Sequence, residues 1–418
     1  MAKPREIGKF SIGIGDRFGK QGKAQLQAVI KAMEQGVTIT PVWNKSFREH
    51  QIVGTQPMDV RKEADSAVKA CGWKGPYFVD ADHVGMKNVD GFIEASDFFT
   101  LDVADFIGQP AEENRISAFV ERHKKFIGDV RIPGIDVPLV VSKERLETIA
   151  RQYVGAVSEA GKVFQRITGR KPEGTFVVEV SMDETPRPQT PVELLFILAA
   201  IADEKIPART VAPKFSGKFN KGVDYAGDVS LFAREFAEDL AVIAFAVNTF
   251  HLPETLKLSI HSGSDKFSIY GHVRQALKTF DAGVHLKTAG TTWLEELIGL
   301  ADAGAEGLKT AKRIYAGAFD RMEELCRPYA TVIDIQNEKL PLPRIVDTWD
   351  RETFLSALRH DPTNVSYNPH IRQLLHVAYK VAAEMGEAYL AAVDAHEKAI
   401  SRNVTENLYE RHIKRLFL

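Results

Sequence analysis

The chain of 418 residues carries 54 Lys plus Arg against 56 Asp plus Glu; a formal net charge of −2 supplies no global field to gather nucleic acid or an anionic membrane, so a small molecule is the expected partner. Its two cysteines, Cys71 and Cys326, stand far apart and outside any CxxC pattern, which argues against a disulfide scaffold or a thiolate zinc site and fits a reducing cytoplasm. The opening MAKPREIGKF lacks the apolar core of a signal peptide and no apolar stretch approaches the span of a membrane helix, so a soluble cytoplasmic protein is expected.

In chain order, short apolar runs alternate with amphipathic helical patterns, the rhythm of a parallel sheet wrapped by helices. KFSIGIGD leads into the helical GKAQLQAVIKAMEQG and VTITPVW into MDVRKEADSAVKACG; YFVDAD and FFTLDVAD follow, the latter entering the helical EENRISAFVERHKKFIG. An insertion of about residues 128–172 begins with the Pro- and Gly-rich DVRIPGIDVPLVV and continues as a long helix over roughly Lys143 to Thr168, expected as an excursion from the main domain. The rhythm resumes with TFVVEVSMDE, TVAPKF, LKLSIHSGS and GVHLKTAG, each followed by a helical pattern, and ATVIDI is a short further strand candidate. These units predict an α/β protein, a (β/α)8 TIM-like barrel over residues 1–345 with a helical insertion. Residues 346–418 read as a helical C-terminal extension that caps the barrel or meets a partner subunit in a homo-oligomer. A doubly wound dinucleotide fold is the weaker alternative, because in GIGDRFGKQGK the third glycine falls at Gly19, one residue late for the fingerprint.

Barrel chemistry gathers where strands end, and the polar residues fall there. Asp80, Asp82 and His83 close one strand, Glu179 and Asp183 another, Lys214 a third, His261 with Asp265 and Lys266 a fourth, and His285 with Lys287 a fifth. Three histidines on three strand ends predict a catalytic divalent cation, zinc, manganese, iron, cobalt or nickel, held by His83, His261 and His285 with an open position. Asp82 then stands beside a ligand as base or as an orienting group. Glu179, between valines in VVEV, faces inward if both valines face out; it is either the second proton-handling carboxylate or the partner of a barrel lysine, and Asp183 is its possible replacement. His370 and His376 belong to a helical surface or a subunit contact.

The lysines admit two readings. One at a strand end carries a Schiff base when desolvated, and HLKTAG has some likeness to the corresponding strand of deoxyribose-phosphate-type aldolases. Lys214, Lys266 and Lys287 equally present positive charge to a substrate carboxylate in a mouth rich in acids, and this electrostatic role is preferred. Ser264 and Asp265 in HSGSDK and Thr288 in KTAGTT offer hydroxyls, a carboxylate and backbone N–H groups to sugar oxygens, while Thr291 or Thr292 makes a good N-cap before WLEEL.

Several long motifs, FVDADHVG, VEVSMDETPRPQTPVELL, APKFSGKFNKGVDY, LSIHSGSDKFSIY, HLKTAGTTWLEEL and NPHIRQLLHVAYKVAAEMG, resemble the tagaturonate epimerase family of bacterial hexuronate catabolism. The likeness runs from the first strand to the terminal helix. It implies a divalent-metal-dependent interconversion of D-tagaturonate and D-fructuronate, a keto sugar acid substrate, and in some members activity on the ketohexoses fructose and tagatose. Carried onto the matching motifs, it implies metal at His83, His261 and His285 and an acid/base pair at Asp82 and Glu179. Inversion at C4 is then expected by retro-aldol cleavage and re-addition through a metal-bound enediolate. Two other classes stay open: a metal-dependent or Schiff-base aldolase that releases the aldehyde, and a non-catalytic sugar-acid-binding barrel.

Overall fold

The computed structural model describes residues 6–418. Eight parallel strands close into a barrel: β1 (Phe10–Ile14), β2 (Ile39–Ser46), β3 (Phe78–Val84), β4 (Phe98–Asp102), β7 (Val177–Ser181), β8 (Thr210–Ala212), β9 (Lys257–Ile260) and β10 (Val284–Leu286). Between β4 and β7 lies a small antiparallel pair, β5 (Gly128–Val130) and β6 (Leu139–Val141). Closure is made by β1, in which Ser11 is paired with Thr40 of β2 and His285 of β10. That closure leaves no strand edge to extend, and the ATVIDI segment accordingly forms no strand; it lies across the barrel mouth, where the Val332 carbonyl accepts the Lys221 N–H at 2.8 Å.

Alternation sorts the strand residues. In β7, Val178 and Val180 join the main core between sheet and helices, while Val177 packs inside the barrel with Ile7, Val42, Phe78 and Phe98 and plugs its lower end. Glu179 therefore points inward, above that plug. β1 meets β10 closely at Gly13, where a Cβ would stand 1.6 Å from the Lys287 carbonyl oxygen, so only glycine fits there.

The helix Lys143–Thr168 is not an excursion. Its apolar stripe, including Leu146, Tyr153, Val157, Ala160, Phe164 and Ile167, is buried against β4 and between the helices Glu113–His123 and Pro191–Asp203, so it takes a place in the outer helical ring. The hairpin β5–β6 departs from the β/α rhythm, and between β3 and β4 a single 3-10 turn, Val89–Gly91, takes the place of a helix. The C-terminal helices fold back over the barrel: Glu397–Glu406 crosses Thr292–Ala303 and Gly22–Glu34, and Lys414–Phe417 rests on Phe267–Thr279. The first crossing is tight, since a Cβ on Gly299 would lie 2.5 Å from Ile400 Cα. Among the described residues no helix is long and apolar enough to cross a membrane.

Candidate active site

The C-terminal strand ends open into a cavity of about 1040 Å³ lined by Asp82, His83, Asp102, Asp183, His261 and Lys287 among others. Strict alternation would send His83 outward, because Asp80 and Asp82 face in. A bulge between Ala81 and Val84, with His83 at φ 53°, turns its ring into the mouth instead. There its Nδ1 hydrogen bonds Asp102 Oδ2 at 3.1 Å, and its ring centroid lies 5.2 Å from that of His261.

His261 is held similarly. Its Nε2 contacts Glu179 Oε1 at 2.8 Å, while its Nδ1 lies 3.1 Å from Asp183 Oδ1 without hydrogen-bond geometry. His83, Asp183 and His261 thus form the group, among the described residues, whose ligand atoms all lie within 4.8 Å of one another. His285 is not part of it. It sits two residues before Lys287 on the same inward face of β10, deeper in the barrel, where Nδ1 hydrogen bonds Ser11 Oγ at 2.9 Å and the ring packs on Phe98. Asp183, expected at the substrate, takes the third position in the cluster.

Beside this group Lys287 anchors an acidic nest. Its Nζ donates to Asp80 and Thr100 and lies 3.1 Å from Asp82 Oδ1 and 3.4 Å from Glu179 Oε1. Burial opposes its charge, but Asp80, Asp82 and Glu179 outweigh that and raise the ammonium's pKa. Burial, opposed by Lys287 and reinforced by Asp82 and Glu179, pushes the Asp80 carboxyl up to about 7. For Asp82, Glu179 and Asp183 the burial cost is outweighed by neighbouring cations, Lys287 first for the first two and His261 for Asp183, which holds all three below the ordinary carboxylate range, Glu179 and Asp183 well below it. His285 goes the other way: burial, with only Glu179 offsetting it and Lys287 and Lys257 adding to it, brings it down to about 3, so the ring is neutral.

Glu179 does not line the cavity. It stands behind His261, with Thr100 Oγ1 at 3.2 Å, and reaches the mouth through that imidazole. Asp82 does line it, and among the described residues its Oδ1 has no hydrogen-bond partner of suitable geometry.

Of the remaining expected residues, Lys214 and Thr288 line the mouth. Ser264 and Lys266 touch its wall, but their polar atoms serve the protein. Lys266 Nζ donates to the carbonyls of Asn220, Val223 and Ser264 at 2.9, 2.6 and 3.0 Å, and Ser264 Oγ contacts His412 Nε2 at 3.2 Å. Asp265 is fully buried at φ 60° and does not line the cavity; Arg372 Nη2 lies 2.5 Å from its Oδ2, His360 Nδ1 3.0 Å from the same oxygen, and its N–H bonds His412 Nε2 at 3.1 Å. Those three residues come from three separate parts of the C-terminal extension, and a π-helical turn at Asn407–Ile413 aims His412 inward. Thr291 is the residue before the helix Thr292–Ala303, yet its hydroxyl accepts from Arg372 Nη2 at 2.8 Å and makes no cap bond. His376, expected on a surface, lines the mouth.

Sequence reading missed Asp102, Thr100, Lys221, Ser262 and Arg372. Asp102 and Thr100 lie in the recognisable strand FFTLDVAD and Ser262 in HSGSDK, whereas Lys221 and Arg372 carry no such mark.

Residues 1–416 match the family described as UxaE, tagaturonate epimerase. The tagaturonate/fructuronate epimerase of Thermotoga maritima is 27% identical over 428 residues, covering 98% of this chain and 82% of its own. The native crystal structure of fructuronate-tagaturonate epimerase from Cohnella laeviribosi superposes with a TM-score of 0.78 at 24% identity over 99% of this chain and 83% of that one. A glycerol complex of the same protein gives 0.79 at 24% identity, again over 99% and 83% of the two chains. At this identity the likeness to the solved structures speaks to the fold.

Proposed function

From a chain that belongs to the tagaturonate epimerase family, and is therefore an isomerase, we propose an enzyme that interconverts D-tagaturonate and D-fructuronate by inverting C4, counted from the hydroxymethyl end next to the ketone. What carries the reading is the cluster of His83, His261 and Asp183 opening on the cavity with ionised Asp82 beside it.

The donor set fits a first-row divalent cation, which His83, His261 and Asp183 would hold. Each imidazole has one nitrogen braced by a carboxylate, Asp102 for His83 and Glu179 for His261, the usual support of a metal-binding histidine. The His261 Nδ1 that faces Asp183 without a hydrogen bond is the kind of unsatisfied polar atom an ion satisfies. When bound, such an ion supplies Lewis-acid stabilisation of negative charge on the substrate's ketone and adjacent hydroxyl oxygens.

The hydrogen on C4 lies one bond beyond the carbon that the ketone acidifies, so removing it directly meets a high barrier. Breaking C3–C4 avoids that. Asp82 takes the proton of the C4 hydroxyl, the C3–C4 electron pair passes toward the ketone, and C4 becomes the aldehyde of a three-carbon fragment. The fragment turns, C3–C4 reforms on its other face, and Asp82 returns the proton to the new C4 oxygen. Glu179 contributes by orienting His261, and Lys287 by holding Asp82 ionised and in place. The same chemistry extends to fructose and tagatose, which carry a hydroxymethyl group where the uronates carry the carboxylate.

Dialysis against a chelator is expected to abolish conversion of tagaturonate, followed by NMR, and one divalent ion is expected to restore it; full activity in metal-free protein would remove the cation from the scheme. In deuterated water the inverted carbon should acquire no deuterium, and its appearance there would reject cleavage. Net release of the three-carbon aldehyde would make the protein an aldolase.

A Schiff base on Lys287 needs the neutral amine, which three carboxylates oppose. Borohydride added with substrate should leave Lys287 unlabelled by mass spectrometry. Irreversible inactivation with the label on that residue would replace this route.

A further inference from the structure

We propose that Lys221, seated on Ser262, receives the carboxylate of the substrate, an assignment that rests on the sugar-acid reading of the mouth. Asp82, Asp102, Asp183 and Glu184, at the ends of the neighbouring strands β3, β4 and β7, line the cavity, as do Asp16 and Glu49 beside Arg17, and the loops after β1 and β8 bring Arg17, Lys214, Lys218 and Lys221 to it. An anionic group is repelled by those acids and must be met by one of these cations.

Most cations here already have partners. Arg17 lies 3.4 Å from Glu49 and stacks on Tyr379, Lys218 pairs with Asp334 at 3.5 Å, and Lys266 spends its donors on three carbonyls. Lys287 belongs to Asp80, Asp82 and Glu179. Arg48, exposed at the rim, donates to the Pro328 carbonyl at 3.2 Å. Lys221 forms no ion pair among the described residues. Its Nζ meets Ser262 Oγ at 3.1 Å, which leaves two of three N–H donors for a ligand.

Ser262 follows His261 directly, so this ammonium stands next to the cluster where the reacting end of the sugar is placed. Its backbone is immobilised from both sides: the Lys221 N–H bonds Val332, Arg372 Nε holds the Gly222 carbonyl at 2.5 Å, and Lys266 holds those of Asn220 and Val223. A second observation marks the same wall as electropositive. His376 lies over Gly222, and burial, then Arg17, Lys221 and Arg372, keep its imidazole neutral. Lys214 is the other mouth lysine without an ion pair among the described residues; its backbone N–H is placed by Gln189 Oε1, but no side-chain contact within them aims its ammonium.

Fructuronate and fructose differ at the terminal group alone, carboxylate against hydroxymethyl, and test the assignment by calorimetric titration of metal-loaded protein. Lys221→Met should weaken fructuronate binding about 10- to 100-fold, the worth of a charge-assisted hydrogen bond, leave fructose within about twofold, and keep its metal; Lys221→Arg should recover most of the loss. Retained fructose binding and metal content show that the variant is folded. Unchanged fructuronate affinity in Lys221→Met, or discrimination that disappears in Lys214→Met instead, overturns the proposal. Lys221-dependent fructuronate binding without conversion to tagaturonate would uphold the carboxylate site while the epimerase reading fails.

Discussion

Asp183→Ala is expected to lower metal affinity by about 100-fold or more and to take turnover with it, whereas His285→Gln keeps a full complement of metal. The contrast follows from geometry. Asp183 Oδ1 stands 3.1 Å from His261 Nδ1 and belongs to the compact ligand group with His83. His285 sits beneath it, bonded to Ser11 and neutral because burial outweighs its acidic neighbour. Loss of an anionic oxygen removes a ligand and also part of the negative potential that draws a divalent cation to the site. Metal analysis of the two purified variants decides the matter. Metal lost from His285→Gln and kept by Asp183→Ala would restore three imidazoles as the ligand set.

Asp265→Asn is expected to cost about 3–5 kcal/mol of stability in urea unfolding, because it leaves the Arg372 guanidinium buried without its counter-charge. The damage spreads beyond one pair. Arg372 also holds the carbonyls of Gly222 and Leu358 and the Thr291 hydroxyl, so one side chain fastens the loops after β8, β9 and β10 to the C-terminal extension. The pH dependence has a definite sign. Burial raises the Asp265 carboxyl, but Arg372, His360 and His412 outweigh it and hold its folded pKa well below the ordinary value. Its contribution is therefore complete above the unfolded carboxylate pKa of about 3.9 and is lost as pH falls through the folded value. The difference in midpoint between wild type and variant should stay flat from about pH 8 to 5 and shrink only in stronger acid. A variant as stable as wild type at neutral pH would mean that this network is not what secures the extension.

The extension is thus part of the mouth. His376 lines the cavity, and Arg372 anchors the loop that presents Lys221. None of this leaves a periodic mark. An amphipathic tail reads the same whether its apolar stripe covers its own barrel or another subunit, since the pattern records that a face is buried and says nothing of what buries it.

Local pattern by itself determined the eight strands, their alternation with helices and the crowding of charged residues at the strand ends, because hydrophobic periodicity and turn residues act over a few positions. Asp82, His83 and His261 were visible for that reason. Only the closed tertiary structure decided the rest. Period-two alternation says that a side chain points into the barrel but not how high it stands, and height separates Lys287 at the mouth from His285 below it. The bulge that rotates His83 inward breaks the alternation altogether. Lys266 and Asp265 read as substrate contacts from their place after a strand end, yet a buried charge takes whatever partner lies nearest in space, and besides the neighbouring Ser264 theirs lie 43 to 147 residues away in the loop after β8 and the C-terminal extension.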